Sequence, residues 1–201
     1  MPLKEKEILK KRWDGICEKN QSIYDNHVFI EREYMQFSRQ DIYPPMVSIM
    51  LPRSFVDLPE LFARQKYPSE YRPTVIKTSY DLAVNFAFQY FEQKIKEEEI
   101  VTATRYYYGT LQKCYPGYGY LECSEHYRDA GKKHVLAWYS YSNPTITDVI
   151  YNIHAFTAVE GRLLQCIFNA PEKLFNSWKP YVFEIFDSVT SSREQQWGEN
   201  L

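Results

Sequence analysis

Leu82, Val84, Phe86 and Phe88 alternate with Ala83, Asn85 and Ala87, a period of two that puts large apolar side chains on one face of a strand. The opposite face is small and admits a closely packed helix. Val47, Ile49 and Leu51 alternate with Ser48 and Met50, which predicts a half-buried strand ended by Pro52. Residues 27–32 and 74–79 read as further strands. Four more follow over 118–127, 133–142, 147–158 and 162–169. The breaks between them carry turn chemistry: Asp129-Ala130-Gly131, Ser142-Asn143-Pro144 and Glu160-Gly161. Consecutive strands joined by short turns predict an antiparallel meander.

Other stretches repeat at helical spacing. Leu9, Trp13, Ile16 and Cys17 fall at i, i+4, i+7 and i+8 and predict a helix over 3–20. Gly15 weakens it by about 1 kcal/mol relative to alanine. Ile100, Thr104, Tyr107, Tyr108 and Leu111 predict a helix over 96–113. Glu97, Glu98 and Glu99 crowd its start, where the macrodipole favours anions, and Pro116-Gly117 follows its end. Leu174, Phe175, Trp178, Val182, Ile185, Phe186 and Val189 form the widest apolar stripe. Asn169 is its expected cap, with Pro171 and Glu172 in the first turn. Asp57 is expected to cap a short helix through Pro59 and Glu60 that ends near Tyr67-Pro68. Residues 38–45 read as a break, because Pro44-Pro45 forbids regular helix. The polar residues 191–201 are expected to fray. Helices before, between and after antiparallel strands make the class α+β.

Composition narrows the function. The 201 residues are 44% hydrophobic and 25% charged, which favours one globular domain with an N-terminal extension. A formal charge of −2 lacks the basic surface of a general nucleic-acid binder. The basic runs Lys10-Lys11-Arg12 and Lys132-Lys133-His134 are short and flanked by acids. No apolar run reaches the roughly 18 residues of a membrane span, and the charged start lacks the apolar core of a secretory leader. A cytoplasmic protein is the reading. Cys17, Cys114, Cys123 and Cys166 form no C-x-x-C pair and are read as reduced, mostly buried thiols.

No nucleotide, hydrolase or zinc-protease motif is present, so no catalytic residue, metal or cofactor is assigned. Gly117-Tyr118-Gly119 leads into a strand, which suits a tight turn rather than a phosphate cradle. Glu122, Ser124 and His126 share a strand face, with His134 the nearest further ligand; an exposed sheet face explains the same alternation better. Cys114 sits at a helix C-terminus, where the dipole disfavours a thiolate, and Cys123 has the opposite strand parity to His126.

The aromatic fraction of 17%, with 18 Tyr, 12 Phe and 4 Trp, is the unusual quantity. Tyr106, Tyr107 and Tyr108 are consecutive on a helix and cannot all face one core. Tyr115, Tyr118 and Tyr120 follow, and Tyr139 and Tyr141 alternate on the next strand. Tyr106, Tyr107, Tyr108, Tyr115, Tyr118 and Tyr120 are the candidate partner-binding residues. The alternative is that each ring covers the sheet edge.

The stretch Val47-Ser48-Ile49-Met50-Leu51-Pro52-Arg53-Ser54-Phe55 resembles the opening of PsbP-like domains. Ser79 through Phe86 resembles their following strand, and Glu160 through Phe168 with Trp178 through Val189 their final hairpin and C-terminal helix. Bacterial DcrB-like proteins, the photosystem II extrinsic subunit and a Ran-binding import factor share this fold. The resemblance spans residues 45–190, leaving 1–44 as an N-terminal helix with its connecting strand and loop, and 191–201 as a tail. It implies an α/β/α sandwich around a central antiparallel sheet and a mostly non-enzymatic role. Relatives act as partner-binding subunits, and some DcrB-like proteins chaperone secreted effectors. The expectation is a non-catalytic protein-interaction module, an adaptor or chaperone-like subunit for an unidentified protein partner. The alternative is a carrier or sensor of a small apolar ligand in an enclosed, aromatic-lined pocket. The N-terminal helix either docks on the domain or builds a homodimer.

Overall fold

The computed structural model describes residues 21–129, 131 and 133–191. The expected helix over 3–20 and the tail beyond Ser191 lie outside the described residues. The chain forms β1 (Val28–Ile30), β2 (Glu33–Met35), β3 (Phe37–Tyr43), β4 (Val47–Pro52), β5 (Val56–Asp57) and α1 (Glu60–Lys66). Then come β6 (Val75–Thr78), β7 (Asn85–Lys94), a 3-10 turn (Glu97–Glu99) and α2 (Ile100–Cys114). The chain continues with β8 (Gly119–Tyr127), β9 (Val135–Pro144), β10 (Val149–Val159), β11 (Arg162–Pro171), α3 (Glu172–Asp187) and β12 (Thr190–Ser191).

A seven-stranded antiparallel sheet, in the order β5-β6-β7-β11-β10-β9-β8, is the frame. Its last four strands are the expected meander. The β10–β11 turn is two residues long: Val159 pairs with Arg162, and Glu160 and Gly161 take φ of 50° and 71°. This left-handed turn matches the twist of the strands it joins.

One face of the sheet carries Phe86, Phe88, Leu164, Cys166, Phe168, Ile153, Ala155, Leu136 and Trp138. It is covered by α3, through Phe175, Trp178, Val182, Ile185 and Phe186, and by the three-stranded sheet β12-β4-β3. Trp178 sits at the centre, with ring centroids 5.5 Å from Phe55, 6.0 Å from Phe86 and 6.4 Å from Phe168. Ile23, Val28, Ile30, Phe37 and Ile42 join the same core, so the chain ahead of residue 45 is built into it. Pro180 lies inside α3 but on its exposed side, where water serves the carbonyl that loses its donor.

The other face is covered in two places. Helix α1 sets Ala63 against Ala87, with Leu58, Ile76 and Ile167 around them, the close approach that the small face of β7 predicts. Helix α2 sets Ile100, Tyr107, Tyr108 and Leu111 on Val135, Ala137, Tyr139, Phe156 and Leu163.

Five expectations are corrected. Leu82 does not share the Phe86 face: it takes φ of 61° in the turn before β7 and packs beside Ala87 on the opposite face. Residues 37–43 are a strand, not a break; a bulge between Asp41 and Tyr43 shifts the parity and hides its alternation. Strand β4 is buried along its length, Met50 only in part, rather than half-buried: the Ser48 hydroxyl is enclosed by Thr190 Oγ1 at 3.1 Å and Arg39 Nη1 at 3.3 Å. Asn169 belongs to β11 and Pro171 takes the cap position of α3, since the Asn169 side chain is bonded across the sheet. Asp57 is a strand residue paired with Lys77 at 2.7 Å, and Pro59 precedes α1 without a side-chain cap.

Trp178→Ala is expected to cost about 3–5 kcal/mol, as for a large buried aromatic whose cavity cannot collapse. Urea unfolding followed by near-UV circular dichroism measures it; a loss below ~1 kcal/mol would contradict this placement of the core.

Candidate functional site

Strand pairing places side chains of the helix-bearing face in rows. Asn85, Asn169, Asn152, Tyr141 and Tyr120 lie side by side across β7, β11, β10, β9 and β8. The next row is Ala87, Ile167, His154, Tyr139 and Cys123, and the one after begins Gln89, Gln165, Phe156. The apolar members of these rows belong to the clusters under α1 and α2. Between those clusters runs a seam of amides and one imidazole: Gln89, Gln165, His154, Asn152, Asn169 and Asn85.

The seam is internally hydrogen-bonded. Asn85 Nδ2 donates to Asn169 Oδ1 at 2.9 Å, and Asn169 Nδ2 donates to the Tyr67 hydroxyl at 2.6 Å. Asn152 Nδ2 donates to Asn143 Oδ1 at 2.8 Å. Gln165 Nε2 donates to His154 Nδ1 at 3.2 Å, so Nδ1 carries no proton. The Tyr139 hydroxyl reaches the same nitrogen at 3.2 Å, and His154 Nε2 donates to the Tyr141 hydroxyl at 3.2 Å. The buried Oδ1 of Asn85 has no hydrogen-bond partner among the described residues.

Burial keeps every group of the seam uncharged. It lowers the basicity of His154 from 6.5 to about 3. It pushes the Tyr67 phenol up to about 12, against the opposing bond from Asn169. Tyr139 and Tyr141 are likewise raised, by burial first and then by neighbouring tyrosines.

The candidate tyrosines flank this seam. Tyr115 stacks on Tyr118 at 4.9 Å and 9°, and Tyr118 on Tyr141 at 5.5 Å and 3°. Tyr108 packs on Tyr139 at 5.1 Å and on Tyr120 at 5.7 Å. The Tyr120 hydroxyl donates to the carbonyls of Leu111 at 2.9 Å and Tyr115 at 2.7 Å, closing the end of α2. Tyr107 stacks on Phe156 at 5.1 Å. These rings share one aromatic group, in which only Tyr115, 50% exposed, faces solvent broadly. Tyr106 is 72% exposed and touches the group only through Tyr107.

The other candidates lie apart. Glu122, Ser124 and His126 do share a face, the one turned to α3. His126 Nε2 meets both carboxylate oxygens of Asp187 at 2.8 and 2.9 Å. Burial raises the Asp187 carboxyl, against the lowering effects of His126 and Arg128. His134 turns to Glu97, ahead of α2, at 3.1 Å. The two imidazoles are thus committed to different sides of the sheet. Among the described residues, no group of three or more His, Cys, Asp and Glu side chains converges to hold a metal ion. Cys166 is buried and its thiol is pushed up to about 12, whereas Cys114 and Cys123 are exposed, against the expectation of mostly buried thiols; Cys17 lies outside the described residues. Two cavities, of about 500 and 580 Å³, are lined by none of the seam residues, and neither has a Phe, Tyr or Trp in its wall; the second meets the seam's end where Thr74 N–H donates to Gln89 Oε1. No described helix is long and apolar enough to cross a membrane.

Sequence reasoning missed the seam. Asparagine is depleted in strands, so Asn85, Asn152 and Asn169 inside predicted strands were the available signal. His154 shares its parity with Phe156, which marks it as facing a helix rather than water.

No family model and no curated protein matches the chain. Among solved structures it is similar to cyanobacterial PsbP (CyanoP) from Synechocystis sp. PCC 6803, with a TM-score of 0.55 and 11% identity over 77% of this chain and 92% of that one. It is also similar to LpqN, involved in cell envelope biogenesis of Mycobacterium tuberculosis, with a TM-score of 0.50 and 13% identity over 86% of this chain and 98% of that one. At such identities the likeness establishes the fold, a PsbP-like α+β arrangement, and nothing about activity.

The depressed basicity of His154 makes stability depend on pH. The unfolded chain takes up a proton below 6.5, whereas the folded chain does so only near 3, so stability falls as pH drops through that window. The full slope is about 1.4 kcal/mol per pH unit. The ring keeps some solvent contact, so we expect at least half of that slope, about 0.7 kcal/mol per unit. Urea titrations at stepped pH measure it, and His154→Gln should flatten the curve by that amount. Parallel curves for the two chains would show that His154 is protonated in the folded state.

Proposed function

We propose that the chain is a non-catalytic protein-interaction module that takes an extended, uncharged polypeptide segment of its partner into the seam between α1 and α2. The observation that carries this reading is the chemistry of the seam: donors and acceptors side by side, with no ionised group among them. A peptide backbone presents the same alternation of donors and acceptors, and amide side chains answer both. An ionised ligand would find no counter-charge there and would lose its hydration. The stacked rings of Tyr115 and Tyr118 form one wall, rigid apolar surface with few rotamers to immobilise on binding. Tyr106, outward on α2, offers a second contact to a partner that reaches over the helix.

Selection of displayed peptides on the immobilised chain, followed by fluorescence anisotropy, tests the reading. The selected peptides should lose at least tenfold in affinity for Gln165→Leu and for Tyr115→Ala, about 1.4 kcal/mol each. Both variants should unfold within ~1 kcal/mol of the parent, since each side chain is partly exposed. Peptides that bind both variants as tightly as the parent, or a selection that enriches nothing, would remove the seam as the site.

A further inference from the structure

Helix α3 ends where one end of the main sheet opens into a cavity of about 500 Å³, within the range of small-molecule sites. Arg128, just past β8, lines it. Its Nη2 donates to the carbonyls of Asp187, at 3.0 Å, and Val189. Nη1 makes one long contact, 3.4 Å, to the Thr157 hydroxyl, and the enclosed Nε has no partner. Among the described residues no carboxylate forms an ion pair with Arg128. The half-buried guanidinium is therefore balanced only without contact, by the Asp187 carboxylate that His126 already holds, and its remaining charge suits a carboxylate.

The rest of the wall sets the kind of anion. Ile95, Ala158, Val159 and Val189 are buried and apolar. Lys96 adds a second cation at the rim. Two acids also line the cavity. Glu97 is occupied by His134 Nδ1 and the backbone amide of Val135, each at 3.1 Å, and Glu160 is exposed on the turn. Two cations and two acids cancel, so the wall as a whole opposes a multiply charged anion, and only the local charge of Arg128 favours a single carboxylate. We propose that this cavity binds a small amphipathic monocarboxylate, its head on Arg128 and its tail against Ala158, Val159 and Val189. The site is separate from the seam and independent of what the seam binds.

Titration of the full chain with octanoate and decanoate below their micellar concentrations, by isothermal calorimetry and by amide chemical shifts, tests this. Octanol and inorganic phosphate serve as comparison ligands. The expected result is saturable carboxylate binding that shifts the amides of residues 158–161 and 189–191, at least tenfold tighter than octanol or phosphate. Arg128→Gln should weaken octanoate at least tenfold and leave octanol unchanged. Arg128 also ties down the end of α3, so a variant that fails to fold is replaced by Ala158→Leu, which fills the cavity and should abolish binding. Absence of saturation at millimolar carboxylate would overturn the proposal, as would equal affinity for octanol, preference for phosphate, or full binding by the filled variant.

Discussion

A seven-stranded sheet exposes two broad faces, and both must be covered before it is stable in water. Much of this molecule follows from how unequally that demand is met. On one side a sixteen-residue helix and a three-stranded sheet press a continuous aromatic core onto the strands. On the other, a seven-residue helix and a fifteen-residue helix cover separate areas. The strip between them is buried at Asn85 and Asn152 and half-buried at Gln89, His154, Gln165 and Asn169. Charged side chains there would be poorly hydrated, whereas amides and a neutral imidazole satisfy one another.

Much of the frame is legible in the sequence because it is repetitive. The alternation of Val84, Phe86 and Phe88, the stripe from Ile100 to Leu111 and the stripe from Phe175 to Val189 are each set by local period, and each predicts its element, although Leu82 falls in the turn before β7 rather than on the Phe86 face. The turn residues Glu160-Gly161 define a hairpin without any distant help. What escapes a local reading is decided by partners far along the chain. Asn169 has the composition of a helix cap, but the amide of Asn85 and the phenol of Tyr67 hold it in a strand. Strand β3 is recognisable only through β4, because its bulge breaks the alternation. His154 and the asparagine row become a unit only when four strands are in register, and no spacing along the chain encodes that adjacency.

The tyrosines show the same division in one group of residues. Consecutive rings at positions 106–108 must point in different directions, which is geometry and readable in advance. That Tyr120 closes the end of α2 with its hydroxyl, while Tyr115 and Tyr118 form a stack leading to Tyr141, depends on a strand pairing that composition does not reveal. An aromatic surplus can therefore be core, cap and wall at once. Neither the PsbP-like frame nor the tyrosine count separates those roles; the hydroxyl partners do.

The two-residue turn between β10 and β11 has a consequence for how this molecule tolerates change in length. It locks the register in which Asn169, Ile167 and Gln165 face the helices while Phe168, Cys166 and Leu164 face the aromatic core. One inserted or deleted residue in either strand would exchange these sets, driving amides into the core and phenylalanine in among the hydrogen-bonded amides. Substitutions along the strip can be accommodated one at a time. Single-residue insertions and deletions in these central strands cannot, so variation in length is confined to the loops outside the meander's core.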